Sequence, residues 1–221
     1  MNSALPTKFV SFSTNHKKLI FLAVLLILLA TIVIGFLANS KDSNVVAAPE
    51  IVTQSTDNPS EEPLDDYVWS GRPTEPKYIE IPSIGAGGFI QKVSIDQRKE
   101  VGVPSNINLA GWFIKGAIPG EKGLSIIDGH VDGISKPGIF KKLENVKVGT
   151  EFTVEFGNGS KKTFKTTGKS RVSIAVAPAV LFSQDPTVTS QLNLITCGGQ
   201  YDKGNRRYLD RIIVTSVPVS A

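Results

Sequence analysis

Hydrophobic and polar residues alternate most regularly near the C-terminus of the chain. Leu192, Leu194 and Thr196 occupy one set of positions and Asn193 and Ile195 the other, and this period of two predicts a β-strand. A Gly-Gly pair ends the strand, a polar loop rich in Arg and Lys follows, and an Ile-Ile-Val run begins a second strand. The pattern therefore predicts a pair of strands joined by a basic loop.

Short β-like runs separated by glycine and proline fill the chain from Lys77 onwards. Asn158-Gly159, between two of these runs, is a signal for a hairpin turn. About eight such strands in roughly 145 residues predict an all-β fold, a closed barrel or a sandwich. Apolar residues at helical spacing predict one short helix over Ile139–Val146. The other predicted strands are Tyr78–Ile81, Phe89–Val93, Leu124–Asp128, Glu151–Phe156, Lys162–Thr166 and Arg171–Val176.

An apolar run without one charged residue, Leu19–Leu37, precedes these strands. At about 1.5 Å per residue it is roughly 28 Å long, close to the ~30 Å hydrocarbon core of a bilayer. A buried core helix and a cleaved signal peptide are the alternatives, but the apolar region of a signal peptide is usually shorter. We therefore predict a transmembrane anchor over residues 19–38.

The charges that flank this anchor predict its orientation. Three lysines precede the apolar run, while Lys41 follows it together with Asp42. The positive-inside rule then places the N-terminal tail, residues 1–18, in the cytoplasm and the remainder of the chain outside. The predicted location is the cell membrane, crossed once, with the folded domain on the extracellular side.

Residues 39–76 differ in composition from both neighbouring segments. Five prolines punctuate a stretch that contains two basic and eight acidic residues. Such a segment buries too little apolar surface to fold alone, so we predict a spacer in which at most Tyr67–Trp69 docks onto the following domain. That domain, residues 77–221, carries 19 basic and 12 acidic residues. A basic domain suits nucleic acid or an anionic envelope polymer. Because no nucleic-acid-binding motif is present, we expect no nucleic-acid partner.

One cysteine and two histidines exclude an intramolecular disulfide and a dedicated Cys/His zinc site. Asp128, Asp132 and Asp202 are candidate calcium ligands, but none lies in a loop with enough oxygen ligands. We therefore expect no cofactor and no obligatory metal.

The single cysteine and one of the two histidines each follow a predicted strand. Cys197 comes directly after Thr196, and His130 comes directly after Gly129. In a barrel, two such strand ends can lie side by side, and histidine transfers protons near neutral pH. The other histidine, His16, precedes the apolar run. The alternatives are a structural histidine and a small buried cysteine.

Three arginines follow the cysteine: Arg206, Arg207 and Arg211. A nearby guanidinium lowers the pKa of a thiol and donates in a fixed geometry to a developing oxyanion. An ordinary solvated loop is the alternative for at least two of them. Gly198-Gly199 fits either the close approach of a peptide substrate or a tight turn.

Several motifs together resemble the sortases, membrane-tethered cysteine transpeptidases of Gram-positive-type bacteria. They are GHVDG at 129–133 with PGIFKKLENVKVG at 137–149, LNLITCGGQYD at 192–202 with RYLD at 207–210, and the earlier GW and PGEKG motifs. Thr-Cys followed by Gly-Gly-x-aromatic-Asp, and later by Tyr-x-Asp, is most similar to class F sortases, with class E as neighbour. The resemblance extends over about residues 77–217.

This resemblance implies an eight-stranded β-barrel with one or two short helices, residues 77–221 being the catalytic domain. It makes His130 the catalytic histidine and Cys197 the nucleophile. For the catalytic arginine it favours Arg206 and leaves Arg207 and Arg211 open.

The implied reaction cleaves an LPxTG-like sorting signal between Thr and Gly. An acyl-thioester on Cys197 would then pass to a peptidoglycan precursor, a pilin or another amine acceptor, which is the chemistry of a thiol peptidase of the hydrolase class. Thr196 and Gly198 are the expected substrate-binding residues. The alternatives are a tethered non-catalytic binding module and an L,D-transpeptidase, whose cysteine motif the Thr-Cys-Gly-Gly sequence does not match.

Overall fold

The computed structural model describes residues 51–52, 58–96 and 99–219. By its internal contacts the chain divides into two units, Met1–Val46 and Ala47–Ala221, and all of the described residues belong to the second. The predicted tail at 1–18 and the predicted anchor at 19–38 therefore lie outside the described residues. Within the described part, no helix is both long enough and apolar enough to cross a membrane.

The described residues form one sheet of nine strands and three short helices. One of these helices is an α-helix, α1 (Ala177–Leu181), and two are 3₁₀ helices, Pro82–Ile84 and Leu143–Asn145. The strands are β1 (Ile51–Val52), β2 (Pro76–Ile81), β3 (Ala86–Val93), β4 (Ala110–Phe113), β5 (Gly123–Gly129), β6 (Glu151–Phe156), β7 (Lys161–Ser173), β8 (Ser190–Asp202) and β9 (Arg207–Pro218).

Strands β2 to β9 close into an eight-stranded barrel. Their order is β3-β2-β6-β7-β9-β8-β5-β4, and β4 pairs with β3 to close the ring. The two-residue β1 pairs in parallel with the C-terminal end of β3. β5 and β8 also run parallel, so their C-terminal ends lie at the same edge of the sheet. The predicted all-β, closed eight-stranded barrel with few helices is thus confirmed.

Two strands differ from the prediction. β4 has no predicted counterpart because its four residues are all buried and show no alternation. β7 is a single strand of 13 residues where two strands were expected. Gly168 suggests a break between two strands. In the structure it lies at a bulge, where the register with β9 shifts, and β7 pairs with β9 on both sides of this bulge.

The predicted helix Ile139–Val146 is also different in the structure. The segment forms turns and the 3₁₀ helix Leu143–Asn145 instead of an α-helix. Its buried residues Phe140, Leu143 and Val146 recur at every third position, which is the period of a 3₁₀ helix. Helix α1, which follows β7, has no predicted counterpart.

Alternate residues of the strands pack into two apolar clusters on opposite faces of the sheet. The larger cluster takes residues from all eight barrel strands and fills the interior. The smaller cluster lies on the outer face and combines Phe113, Ile126, Ile195 and Ile213 with Leu181 of α1. Successive strand residues point to opposite faces, so the outer face of β4, β5, β8 and β9 is a second packed layer.

The segment before β2 packs against the barrel. The Trp69 indole Nε1 donates to the carbonyl of Ile90 (3.1 Å), and Glu75, only 3% exposed, pairs with Arg72 (2.7 Å). Residue 76 already belongs to β2. The folded body therefore begins before residue 77, and more of the predicted spacer is docked than Tyr67–Trp69.

Candidate active site

Cys197 lies on the outer face of β8, where the regular pairing of this strand ends. It follows Ile195 on that face, and beyond Gly198 the register between β8 and β9 shifts at a bulge. The cysteine is free and half-buried. The sheet backbone therefore fixes the position of the sulfur while one side of the residue stays open to solvent.

Arg211 of β9 is the cross-strand partner of Cys197. Paired residues of antiparallel strands have Cα atoms about 4.5–5.5 Å apart and side chains on the same face. Two carbonyls hold the guanidinium, because Nη1 donates to the backbone oxygens of Tyr208 (3.2 Å) and Asp210 (3.0 Å). The positive charge of Arg211 lowers the pKa of the Cys197 thiol.

The structure does not bring Arg206, the arginine favoured by the sequence, to Cys197. Arg206 lies in the exposed turn between β8 and β9, with a φ of 51°. From Cys197 to Asp202, where β8 ends, the strand extends by about 16 Å. Arg207 pairs with Asp202 at this same end of the hairpin. The register thus places Arg211 at the thiol and the other two arginines at the hairpin tip.

His130 follows β5 directly, and β5 runs parallel to β8. The two strands remain in contact at their ends, where the Thr196 hydroxyl Oγ1 donates to the carbonyl of Gly129 (2.7 Å). The next residues of the two strands are His130 and Cys197, and neighbouring strands lie about 4.8 Å apart. The structure therefore brings the two predicted strand ends together.

The tautomer of His130 follows from its hydrogen bond. Nε2 lies 2.7 Å from the carbonyl oxygen of Pro104. Because a carbonyl oxygen only accepts, Nε2 donates, and Nδ1 is the nitrogen that gains or loses a proton. Burial lowers the pKa of His130, and the Pro104 carbonyl raises it to a smaller extent. The imidazole is therefore mainly neutral at pH 7, with Nδ1 ready to accept a proton.

The pKa of the Cys197 thiol reflects opposing influences. Burial raises this pKa most, Arg211 lowers it, and the carboxylates of Asp128, Glu100 and Asp132 raise it. The net pKa lies above the ordinary value of 9.0. In the site without substrate, the thiol is therefore protonated at neutral pH.

Asp128 is a buried acid close to this thiol, and the sequence suggests for it only calcium binding. It is 5% exposed, and its Oδ1 has no hydrogen-bond partner among the described residues. A Cβ on Gly111 of β4 would lie 2.2 Å from Oδ1, so the carboxyl group occupies the space that the glycine leaves. Burial raises the pKa of Asp128 well above its ordinary range, which favours the neutral acid. The only sequence signal is an ionisable residue within an apolar strand.

Thr196 and Gly198, the predicted substrate-binding residues, lie on the face of β8 opposite to Cys197. Thr196 is 4% exposed, and its hydroxyl already donates a hydrogen bond to the carbonyl of Gly129. A Cβ on Gly198 would lie 2.8 Å from Cγ1 of Ile212, so close packing requires a glycine there. Only the backbone of these two residues is therefore available to a substrate.

The three aspartates considered for calcium are used separately. Asp132 bonds to Tyr208 and Lys141, Asp202 accepts from Gly204 in the hairpin turn, and Asp128 is buried. Within residues 51–52, 58–96 and 99–219, no group of three His, Cys, Asp or Glu side chains is placed to hold a metal ion.

Comparison with known proteins shows the family. A family model for the sortase domain matches residues 79–219. A lid mutant of sortase A from Corynebacterium diphtheriae is similar in structure, with a TM-score of 0.52 and 23% identity, over 69% of this chain and 73% of that one. Sortase C-1 from Actinomyces oris has a TM-score of 0.48 and 23% identity, over 66% of this chain and 73% of that one. A sortase D5 transpeptidase of Clostridium perfringens has a TM-score of 0.49 and 20% identity, over 66% and 79%. No curated protein matches the chain.

Proposed function

Because the chain belongs to the sortase family of cysteine transpeptidases, we propose that it cleaves a peptide sorting signal through an acyl-thioester on Cys197 and transfers the acyl group to an amine. One observation carries this proposal: a single thiol lies between an arginine and a histidine. Arg211 faces Cys197 from β9, and His130 lies beside it at the end of β5. These residues supply the nucleophile, the oxyanion donor and the proton donor that acyl transfer requires.

The reactive form of this site is the thiolate of Cys197 with the imidazolium of His130. It arises when the proton of Sγ moves to Nδ1. Burial raises the thiol pKa and lowers the histidine pKa, so the neutral pair predominates before substrate binds. The charge of Arg211 favours the thiolate and therefore increases this fraction.

The first half-reaction follows from these positions. Sγ of Cys197 attacks the carbonyl carbon of the scissile peptide, and the carbonyl oxygen becomes an oxyanion that the Arg211 guanidinium stabilises. When the C–N bond breaks, Nδ1 of His130 gives its proton to the leaving amine. The products are an acyl-thioester on Cys197 and a neutral His130.

The second half-reaction regenerates the site. An acceptor amine attacks the thioester carbonyl, loses a proton to Nδ1 of His130, and expels the thiolate of Cys197 as the new amide bond forms. Water in place of the amine hydrolyses the same intermediate, which gives the activity of a thiol peptidase.

The register supports Arg211 in the arginine role. Its direct pairing with Cys197 and the two carbonyls that hold its guanidinium place a cation at the thiol. Arg206, in the exposed turn at the far end of the hairpin, has no such placement. The role assigned to Arg206 from the sequence therefore passes to Arg211 in this proposal.

Sortases as a family act on proteins that carry a sorting signal and on amine acceptors. For this chain we expect an LPxTG-like signal cut between Thr and Gly, and a peptidoglycan precursor or another cell-envelope amine as acceptor. The Thr-Cys-Gly-Gly-x-aromatic-Asp sequence supports a class F assignment, with class E as neighbour. The charge-free apolar run within residues 19–38 supports a single-pass membrane anchor with the catalytic domain outside the cell.

Intact-mass spectrometry tests this function. The full chain, in detergent micelles, is incubated with a panel of LPxTG-type peptides and then denatured in acid. We expect the mass of the acyl fragment on the wild type, no adduct on Cys197→Ala, and loss of the wild-type adduct when a glycine-based amine is added. A folded wild type that acquires no adduct from any peptide, and whose Cys197 does not react with iodoacetamide, would favour a non-catalytic binding module.

A further inference from the structure

His130 needs support from outside the sheet, because β5 ends one residue before it. Two backbone contacts fix the residue itself: the carbonyl of Pro104 accepts from Nε2, and the amide of Phe140 donates to the His130 carbonyl (3.0 Å). Neither contact reaches β9, the strand that carries Arg211. The relative position of the histidine and the arginine therefore depends on other contacts.

Asp132, two residues after His130, makes a contact to β9. Its Oδ2 accepts a hydrogen bond from the Tyr208 hydroxyl (2.5 Å), across 76 residues of sequence. Its Oδ1 pairs with Nζ of Lys141 (2.7 Å), which belongs to the same loop region as the histidine. One carboxylate thus joins the loop after β5 to the β8–β9 hairpin.

Tyr208 connects this contact to the arginine. Its carbonyl oxygen accepts from Nη1 of Arg211 (3.2 Å), while its hydroxyl donates to Asp132. The ring is held from the other strand by Tyr201, which packs against it edge-on with the centroids 5.1 Å apart. Tyr208 is therefore bonded at one end to the histidine loop and at the other to the arginine side chain.

We propose that Tyr208 and Asp132 are positioning residues for transpeptidation, which hold His130 and Arg211 in place on either side of Cys197. This inference rests on the proposed function and extends it to two residues that do not themselves react. Displacing catalytic groups by about 1 Å costs on the order of 100-fold in rate, so a bond that fixes two of them at once is a sensitive point.

Charge and protonation favour this role. Burial and the bond to Asp132 both raise the pKa of Tyr208, so its hydroxyl keeps the proton that it donates at neutral and mildly alkaline pH. The negative charge of Asp132 raises the pKa of Cys197. Lys141 pairs with the same carboxylate from an exposed position, where an ion pair contributes little energy.

The test compares Tyr208→Phe and Asp132→Asn with two matched controls, Tyr201→Phe and Lys141→Met. Peptide cleavage by the full chain gives kcat and KM, and thermal unfolding gives Tm. We expect Tyr208→Phe and Asp132→Asn each to lower kcat by about 10- to 100-fold, with KM and Tm close to those of the wild type. The double variant should be no worse than the more impaired single one, because both substitutions remove one hydrogen bond. The two controls should stay within about threefold of the wild type.

The outcomes separate the two proposals. Wild-type cleavage with an unchanged kcat in Tyr208→Phe overturns the positioning role alone. So does an equal loss in Lys141→Met, because the charge of Asp132 rather than its bond to Tyr208 would then be responsible. Additive losses in the double variant also overturn it. A wild type that forms no acyl-thioester overturns the proposed function, and the positioning role falls with it. If Tyr208→Phe does not fold, Asp132→Asn provides the same comparison.

Discussion

The two faces of β8 differ in what they contribute to the protein. The inner face directs Leu192 and Leu194 into the barrel, where both are fully buried. On the outer face, Asn193 and Ile195 contact Leu181 of α1, and Cys197 follows them along the strand. The same alternation thus builds the barrel core on one side and the candidate active site on the other.

On the outer face, burial decreases along β8 from Asn193 to Cys197. Asn193 is buried and donates to the carbonyl of Leu181, and Ile195 packs in the outer cluster. At Cys197 the cover ends and the residue is half-buried. The difference between the faces predicts that inner substitutions cost stability, whereas outer ones near the end of the strand cost activity.

Replacing His130 should give the largest loss on the outer face. We expect His130→Ala to lower kcat for peptide cleavage by about 100- to 10,000-fold, because the leaving amine loses its proton donor. The free energy of unfolding should fall by only about 1–3 kcal/mol, because the buried Pro104 carbonyl loses its donor. Steady-state kinetics and thermal unfolding check this; a variant that retains more than a tenth of the wild-type kcat would contradict the mechanism.

On the inner face, Leu194→Ala should affect stability. Deleting a fully buried leucine from a packed core typically costs about 2–5 kcal/mol of unfolding free energy. Denaturant titration measures this cost, and kcat per folded molecule should remain close to wild type. Cys197→Ala, three residues further along the same strand, is the matched outer-face control and should cost less than about 1 kcal/mol. Equal losses of stability in both variants would contradict the division between the faces.

The β8–β9 hairpin allows a sharper comparison within the outer surface. Arg211→Ala should lower kcat/KM by about 100- to 1,000-fold through loss of an oxyanion donor. Arg206→Ala, in the exposed turn, should stay within about twofold of the wild type, as surface substitutions usually do. The two variants remove the same charge from the same hairpin. A large loss in Arg206→Ala alone would show that the turn moves to the thiol on substrate binding.

The pH dependence of kcat/KM should reflect burial on the outer face. Burial lowers the pKa of His130 from 6.5. Below this pKa both His130 and Cys197 are protonated, so kcat/KM should increase about tenfold for each unit by which the pH is raised towards it. Above the pKa of Cys197, which lies above 9.0, both protons are lost and activity falls. A plateau between these limits is expected from steady-state rates. An alkaline limb below pH 8 would mean that the thiol pKa is lowered instead.

The sequence predicts the positions of His130 and Cys197 better than it predicts what faces them. Gly129 is the last residue of β5, whereas Thr196 and Cys197 lie within β8, which continues through the Gly-Gly pair expected to end it and stops at Asp202. The barrel nevertheless brings His130 and Cys197 together. Arg211 could not be chosen by counting from Cys197, because a bulge between Gly198 and Tyr201 shifts the hairpin register by one residue. Which arginine faces Cys197 is determined by this bulge and by the pairing of β8 with β9, and the alternation of hydrophobic and polar residues encodes neither.

Asp128 is the outer-face residue that gives the smallest and most specific test. The carboxyl group of Asp128 packs against Gly111 of β4. Because hydrophobic and polar residues do not alternate in β4, the sequence does not predict this strand, and only the structure shows how deeply Asp128 is buried. Burial raises its pKa, so between the ordinary value of 3.8 and its folded value the unfolded chain releases a proton that the folded one keeps. Stability of the wild type must therefore fall as pH rises through this window, by at most about 1.4 kcal/mol per pH unit.

Asp128→Asn removes this titration and keeps the shape of the side chain. The Tm of the variant should rise relative to the wild type as pH increases above 4, until the pH passes the pKa of Asp128 in the folded protein. Asp65→Asn, at an exposed position, is the matched control and should show no such trend. A Tm difference that stays constant from pH 4 to pH 8 would mean that burial does not raise the pKa of Asp128 and that its carboxyl group has a hydrogen-bonding or charged partner in solution. The outer face, like the inner one, would then contain no buried group with a raised pKa.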